Sequence, residues 1–334
     1  MISRASLLLA CLLWSGASVA AEPPAKELFG GVATPTAGPS SVAIGSYAKG
    51  CLAGGQALPV DGPSWRVMRL SRNRNWGHPE LIAFIERLAA GARTDGWPGL
   101  LVGDMAQPRG GPMRTGHASH QIGLDVDIWL TPMPDRPLTA QDRETMAAPS
   151  MLIDGTRTAD LARFGAAQIA VLRRAALDPQ VERIFLHPGL KQALCERVQG
   201  DRAWLRKIRP WWGHDSHFHV RLACPAGDEL CREQEPPPAG DGCGADLAWW
   251  LSDEPWKPKP AGPPPKPVML SDLPAACAAL VAEAAQVVAL FGIVHVAEAG
   301  DVDAVGPVAV GVEILKIVGV AVSAHAVVVV HEVV

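Results

Sequence analysis

The 334-residue sequence lacks an excess of charge of either sign, with a formal net charge of −4 and 19% charged residues. A nucleic-acid backbone or an anionic membrane therefore finds no electrostatic reason to bind it. Nor is it a disordered acidic chain, because 48% of its residues are hydrophobic. Its seven cysteines include no Cys-x-x-Cys pair. That absence argues against a thiolate zinc finger and against a thioredoxin-like redox site. Tyrosine occurs once against 11 tryptophans, a skew for which the sequence offers no physical account. Proline is in excess instead, with 30 residues beside 33 glycines, so long irregular connections are expected rather than a helical bundle. The length suits one or two domains with a sizeable core.

Residues 1–21 carry Arg4, an apolar stretch from Ala5 to Trp14, and small residues up to Ala21, the pattern of a secretory signal peptide cleaved after Ala20 or Ala21. The apolar stretch falls short of the roughly 20 residues of a membrane span. Leu8-Leu9-Ala10-Cys11 also fits a lipoprotein acceptor, but cutting there would leave too short a hydrophobic region. Removal of the signal takes Cys11 and leaves Cys51, Cys195, Cys224, Cys231, Cys243 and Cys277. An even set in an exported chain predicts three disulfides, and spacing alone leaves about 15 pairings open.

Along the chain, residues 22–50 are rich in Pro, Gly, Ala and Ser and are expected to wrap the surface until Cys51. Pro79 with Leu81, Phe84, Ile85 and Leu88 predicts a helix over 78–88. Strands are expected at 100–104, 123–130 and 183–186 and a second helix at 158–177, an α+β or α/β mixture. Residues 254–274 include Pro263-Pro264-Pro265 and read as an extended linker. Residues 286–334 differ from everything before them. Valine makes up over a third of them, arginine is absent, and Lys316, His325 and several glycines spoil a membrane span. This extension reads as foreign to the functional unit.

Five of the ten histidines lie in two stretches, Gly116-His117-Ala118-Ser119-His120-Gln121-Ile122-Gly123-Leu124-Asp125-Val126-Asp127 and Trp212-Gly213-His214-Asp215-Ser216-His217-Phe218-His219-Val220-Arg221. Strand alternation puts Asp125 and Asp127 on one face against Val126 and Ile128 on the other. It likewise sets His217, His219 and Arg221 against Phe218, Val220 and Leu222. Two strands thus offer ligand-type groups to one site. Buried aspartates need a cation, a donor network or a proton. The residues alone leave two arrangements open, a metal site, or solvated His117, His120 and His214 with both aspartates paired to arginines.

These two runs resemble the penicillin-insensitive murein endopeptidases, a family of periplasmic zinc peptidases. So do Ile44-Gly45-Ser46-Tyr47, Gly77-His78-Pro79-Glu80-Leu81, 204–211 and Gly240-Asp241-Gly242-Cys243-Gly244, so that the likeness covers about 29–285. The resemblance implies a lysostaphin-type (LAS, Hedgehog/DD-peptidase-like) α+β fold with an antiparallel sheet core, flanking helices, long loops and three disulfides. It implies one catalytic zinc held by His120, Asp127 and His219, with a fourth position open to water. His217 would then be the general base and His214 a further active-site histidine. Asp125 would orient a ligand histidine from behind, or else pair with Arg221. The resemblance also implies, for some members, a second metal held through equivalents of His117, Asp154 and a histidine three residues later, where this chain has Arg157. A cation there argues against a second ion, so His117 and Asp154 stand as second-metal or cleft candidates. The implied pairings are Cys51 with Cys277, Cys195 with Cys243, and Cys224 with Cys231.

The function so implied is periplasmic hydrolysis of the D-alanyl-meso-diaminopimelyl cross-link of peptidoglycan, insensitive to penicillin. Related zinc DD-carboxypeptidases or dipeptidases, or a non-catalytic wall-binding module on the same scaffold, are the competing readings. Residues 22–285 would form the peptidase domain, with peptidoglycan as partner and no membrane insertion once the signal is gone. The intact mass of the exported protein is expected to place its N-terminus at Ala21 or Glu22. A mass retaining residues 1–20, or one beginning at a lipid-modified Cys11, contradicts that.

Overall fold

The computed structural model describes residues 22–38, 40–258 and 262–283. The signal-peptide and valine-rich-extension expectations, 1–21 and 286–334, lie outside the described residues. In chain order the elements are α1 (Ala25–Phe29), β1 (Val42–Ser46), β2 (Lys49–Ala53), β3 (Gln56–Ala57), β4 (Asp61–Gly62), β5 (Trp65–Val67), β6 (Trp76–Gly77), α2 (Pro79–Thr94), β7 (Leu100–Val102) and β8 (Asp125–Trp129). Then come α3 (Ala140–Thr145), α4 (Ala166–Leu177), β9 (Val181–Leu186), α5 (Pro188–Arg197), β10 (Ile208–Pro210), β11 (His217–Leu222) and α6 (Ala245–Leu251).

A seven-stranded sheet in the order β10-β9-β11-β8-β7-β5-β4 forms the centre. Its middle is antiparallel, as the α+β reading requires, with β11 running against both β9 and β8, and β8 against β7. Two flanking pairs are parallel, β5 with β7 and β9 with β10. Each parallel pair is bridged by a helix, α2 and α5 respectively, because a parallel partner requires a crossover.

Helix α2 begins where Pro79 supplies a preset φ and the His78 ring accepts a hydrogen bond from Glu80 N–H. It buries Leu81, Phe84, Ile85, Leu88, Ala89 and Ala92. These join Val171, Leu172 and Ala175 of α4 and the apolar faces of β8 and β11, namely Val126, Ile128, Phe218 and Val220, in one core. The opposite face of the same two strands is left for polar groups.

Three local expectations change. Residues 22–50 do not merely wrap the surface: α1 buries Phe29, and β1 pairs with β2 from Val42 opposite Ala53 to Ser46 opposite Lys49. The second helix begins at Ala166, not near residue 158. Asp160 closes its own turn by accepting from Ala162 N–H, buried Phe164 caps that turn, and the helix starts only after Gly165, whose N–H is held by Gln168. The proline-rich stretch contains short 3-10 turns at Glu254–Trp256 and Leu270–Asp272, while residues 262–267 are exposed and irregular.

Disulfides join Cys51 to Cys277, Cys195 to Cys243 and Cys224 to Cys231. The first spans 226 residues and ties buried Cys51 of β2 to a small apolar cluster with Ala25, Phe29, Ile44 and Leu273. Replacing Cys51 and Cys277 together by alanine is expected to cost about 2–5 kcal/mol. Urea unfolding followed by circular dichroism measures it, and an unchanged midpoint contradicts it.

Candidate metal centre

The register of β8 against β11 builds the site. Asp127 stands opposite His219 and Asp125 opposite Arg221. Cross-strand neighbours have Cβ atoms about 5 Å apart, so carboxylates on one strand meet imidazole and guanidinium on the next. His219 Nδ1 lies 3.5 Å from Asp127 Oδ1, and its Nε2 lies 3.0 Å from Asp125 Oδ1.

The remaining groups arrive on loops. His117 and His120 come from the segment before β8, and one ligand atom each of His117, His120 and Asp127 lie within 4.8 Å of one another. His117 Nε2 is 3.4 Å from Asp127 Oδ2, and His120 Nε2 is 3.4 Å from Asp127 Oδ1. His120 adopts φ 66° and His214 φ 56°, left-handed conformations that non-glycine residues adopt at a cost. At His120 that turn sends the backbone N–H to Asp125 Oδ2, 3.0 Å away. Both sequence arrangements for Asp125 therefore coexist: it sits behind His219 and also holds Arg221, whose Nε donates to Oδ1 at 2.8 Å. Arg221 in turn stacks over Tyr47 and Phe185.

Burial and charge act in opposition here. Burial alone would raise the Asp125 carboxyl, but Arg221 and then His219 outweigh it and hold it far below the usual carboxylate range. Asp127 is likewise held low against its burial, by the surrounding histidines. Burial pushes His219 down to about 3 despite Asp125, so it is a neutral imidazole at pH 7. Burial and then the neighbouring His217 bring His214 to about 4. Such neutral rings keep a lone pair for a ligand role.

The donor set fits a cation. Among the described residues, neither ring nitrogen of fully buried His120 has a hydrogen-bond partner, and neither does Asp127 Oδ1. Orphaned buried polar atoms cost free energy unless something satisfies them, and three imidazoles with a carboxylate are borderline N/O donors of the kind zinc takes.

His217 lies at the rim, its Nε2 3.8 Å from Asp127 Oδ2 and its Nδ1 3.4 Å from Ser216 Oγ. His214 stands beside it with ring centroids 5.0 Å apart, and its Nδ1–H reaches the Trp212 carbonyl at 2.8 Å.

Two placements depart from the sequence reading. Asp154 does not join the cluster. Its side chain is 88% exposed with Arg163 at 3.5 Å, and Arg157 is engaged by Asp253. The 153–158 turn holds this carboxylate in solvent, which leaves no second-metal pair with His117. His117 itself belongs to the cluster, not only to the surrounding cleft. Its missing partner is Asp104, which the sequence reading took only as a strand end. Asp104 accepts from His117 at 3.0 Å, Arg74 at 2.8 Å and Arg72 at 3.0 Å, and these outweigh burial to bring it to about 2. The available signal was a carboxylate two residues after the apolar run 100–102, where an unpaired charge is untenable.

The cluster lies between two hollows. One of about 490 Å³ extends over β11, β9 and β10 and is lined by His117, His214, His219, Phe185, Arg209 and Trp211 among others. The other, of about 200 Å³, lies on the β8 and β7 side between Arg69, Arg72, Trp129, Asp127 and His217.

A family profile described as penicillin-insensitive murein endopeptidase matches residues 43–282. A penicillin-insensitive murein endopeptidase of Haemophilus influenzae is 45% identical over 238 residues, covering 69% of this chain and 81% of its own length. One of Klebsiella pneumoniae is 43% identical over 276 residues, covering 82% and 96%. One of Escherichia coli is 40% identical over 282 residues, covering 84% and 99%. The chain belongs to the penicillin-insensitive murein endopeptidase family.

Dialysis against zinc followed by metal analysis tests the centre. The wild-type chain is expected to retain zinc stoichiometrically, and His120→Ala and Asp127→Asn to lose it. Asp125→Asn is expected to weaken affinity by about 10–100-fold through the candidate ligand His219. Asp154→Ala is expected to retain zinc fully, and loss of zinc in that variant contradicts the placement above.

Proposed function

We propose that this protein is a zinc-dependent endopeptidase of the periplasm that hydrolyses the D-alanyl-meso-diaminopimelyl amide linking two peptidoglycan stems. The observation that carries this reading is the pair of hollows flanking the cluster, which leaves room for peptide on both sides of a scissile bond. The family's named substrate and the three disulfides, which suit an oxidising compartment, agree with the reading.

His120, Asp127 and His219 would hold the ion, with His117 beside them. Zinc bound there supplies Lewis acidity, polarising a carbonyl oxygen and acidifying water. The chain's own contribution is orientation and proton traffic. Asp125, anchored by Arg221, fixes the His219 ring from behind. His217 is one-quarter exposed, with Nδ1 next to Ser216 and Nε2 turned to the site, so it can take a proton from an attacking water and pass it to the leaving amine. His214 gives its only N–H to Trp212 when neutral, and its Nε2 is then an acceptor. It suits holding a proton donor such as water or His217 better than donating to an oxyanion.

No acyl-enzyme is required. All six cysteines of the described residues are in disulfides, so none offers a thiolate. An enzyme without an acylated nucleophile gives penicillin nothing to trap.

Zinc-loaded protein incubated with purified cross-linked muropeptide dimers and penicillin, with products read by mass, is expected to yield monomers, and a chelator to stop the reaction. His217→Ala that still holds zinc is expected to lose about 10²–10⁴-fold in rate. Release of D-alanine alone would identify a carboxypeptidase instead, and stoichiometric zinc without cleavage a wall-binding module.

A further inference from the structure

On the polar face of the sheet, one row of residues runs in register from the cluster to the edge strand: Asp127 on β8, His219 on β11, Phe185 on β9 and Arg209 on β10. The larger hollow covers the far end of this row. Among the described residues its walls include Arg183, Arg209 and Arg221 and no carboxylate, a local reversal in a chain of net charge −4.

The three guanidiniums differ in what they have left to give. Arg221 is committed to Asp125 and Gln234. Arg183 is mostly buried and clamped to Glu182 at 2.7 Å and to the Glu235 carbonyl, although its Nε has no acceptor among the described residues. Arg209 has one partner among the described residues, Asp246 at 3.4 Å, and that carboxylate is 57% exposed. A guanidinium carries five N–H donors, so most of those on Arg209 are free for a ligand. Phe185 and Trp211, edge to face at 5.8 Å, give the hollow an apolar wall that strengthens any charge pair formed against it.

We propose that Arg209, backed by Arg183, is a specificity-determining residue that binds a free carboxylate of the substrate peptide. This rests on the endopeptidase reading above. Two strand spacings, about 10 Å, separate the Arg209 and His219 backbones. The reach of the arginine then places the carboxylate within about two residues of the scissile amide. Two carboxylates of a cross-linked stem meet that requirement. One is on the diaminopimelyl centre whose amino group forms the cross-link, and the other is the terminal carboxylate of the acceptor stem's D-alanine. Either would pair with the planar fork of the guanidinium through two parallel hydrogen bonds.

The test uses the zinc-loaded full chain and three synthetic dimers: the native form, and two in which one or the other carboxylate is a primary amide. For wild type, one amidation is expected to raise KM by about 10–100-fold with kcat little changed, the loss of a charge-assisted pair. Arg209→Gln is expected to show the same raised KM on the native dimer and no further response to that amidation, and Arg209→Lys to recover part of the affinity. Zinc content and thermal midpoint are read alongside to show that the variants fold. The amide arms are read on wild type, so the result stands even if a variant fails to fold. Equal KM for all three dimers in wild type, or an unchanged preference in Arg209→Gln, overturns the assignment while leaving the endopeptidase reading intact. Cleavage of none of the dimers overturns both.

Discussion

Asp125 is completely buried, and a carboxylate in that position without donors would cost several kcal/mol, so the surrounding structure has to be arranged to satisfy it. Its donors come from three directions: the backbone N–H of His120, the guanidinium of Arg221, and the far side of the His219 ring. Each of these also sets something else. The His120 N–H is available only because the loop turns through a left-handed conformation there. Arg221 is held by the stacking of Tyr47, from the turn after β1, and of Phe185 on β9. One carboxylate thereby links the β1–β2 hairpin, the central strands and the candidate ligands.

Asp104 does similar work at the other end of the cluster. Its partners Arg72 and Arg74 come from the segment before β6 and His117 from the segment before β8, so it draws separate loops to one point. The candidate ligands are thus braced from behind on both sides, by two aspartates whose acidity is maintained against burial by neighbouring cations. The disulfides act further out. Cys195–Cys243 fastens α5 to the segment that leads into α6, which carries Trp250 to the edge of the larger hollow.

What the sequence disclosed follows from periodicity. Alternation by twos in 124–129 and 217–222 identified both strands that carry candidate ligands and which of their residues share a face, and the 81, 84, 85, 88 spacing located α2. What it did not disclose depends on pairing over long distances. Asp104 belongs to no pattern, and its meaning appears only when three distant residues converge on it. The late start of α4 was hidden because the 158–164 segment has helix-like composition while Asp160 and Gly165 favour a turn. Parallel pairing at β5–β7 and β9–β10 arises from crossovers that no local window contains. The disulfide partners came from family likeness, since spacing leaves many pairings open. The likeness also suggested Asp154, which the 153–158 turn keeps in solvent.

Strands β8 and β11 present the site on one face and the core on the other, residue by residue. A shift of one position in either strand would carry His217, His219 and Arg221, or Asp125 and Asp127, into the packing of α2 and α4, and drive Phe218, Val220 or Ile128 into the cleft. Site and core are therefore inherited as a unit. An insertion or deletion within either strand removes the chemistry and the fold at the same stroke.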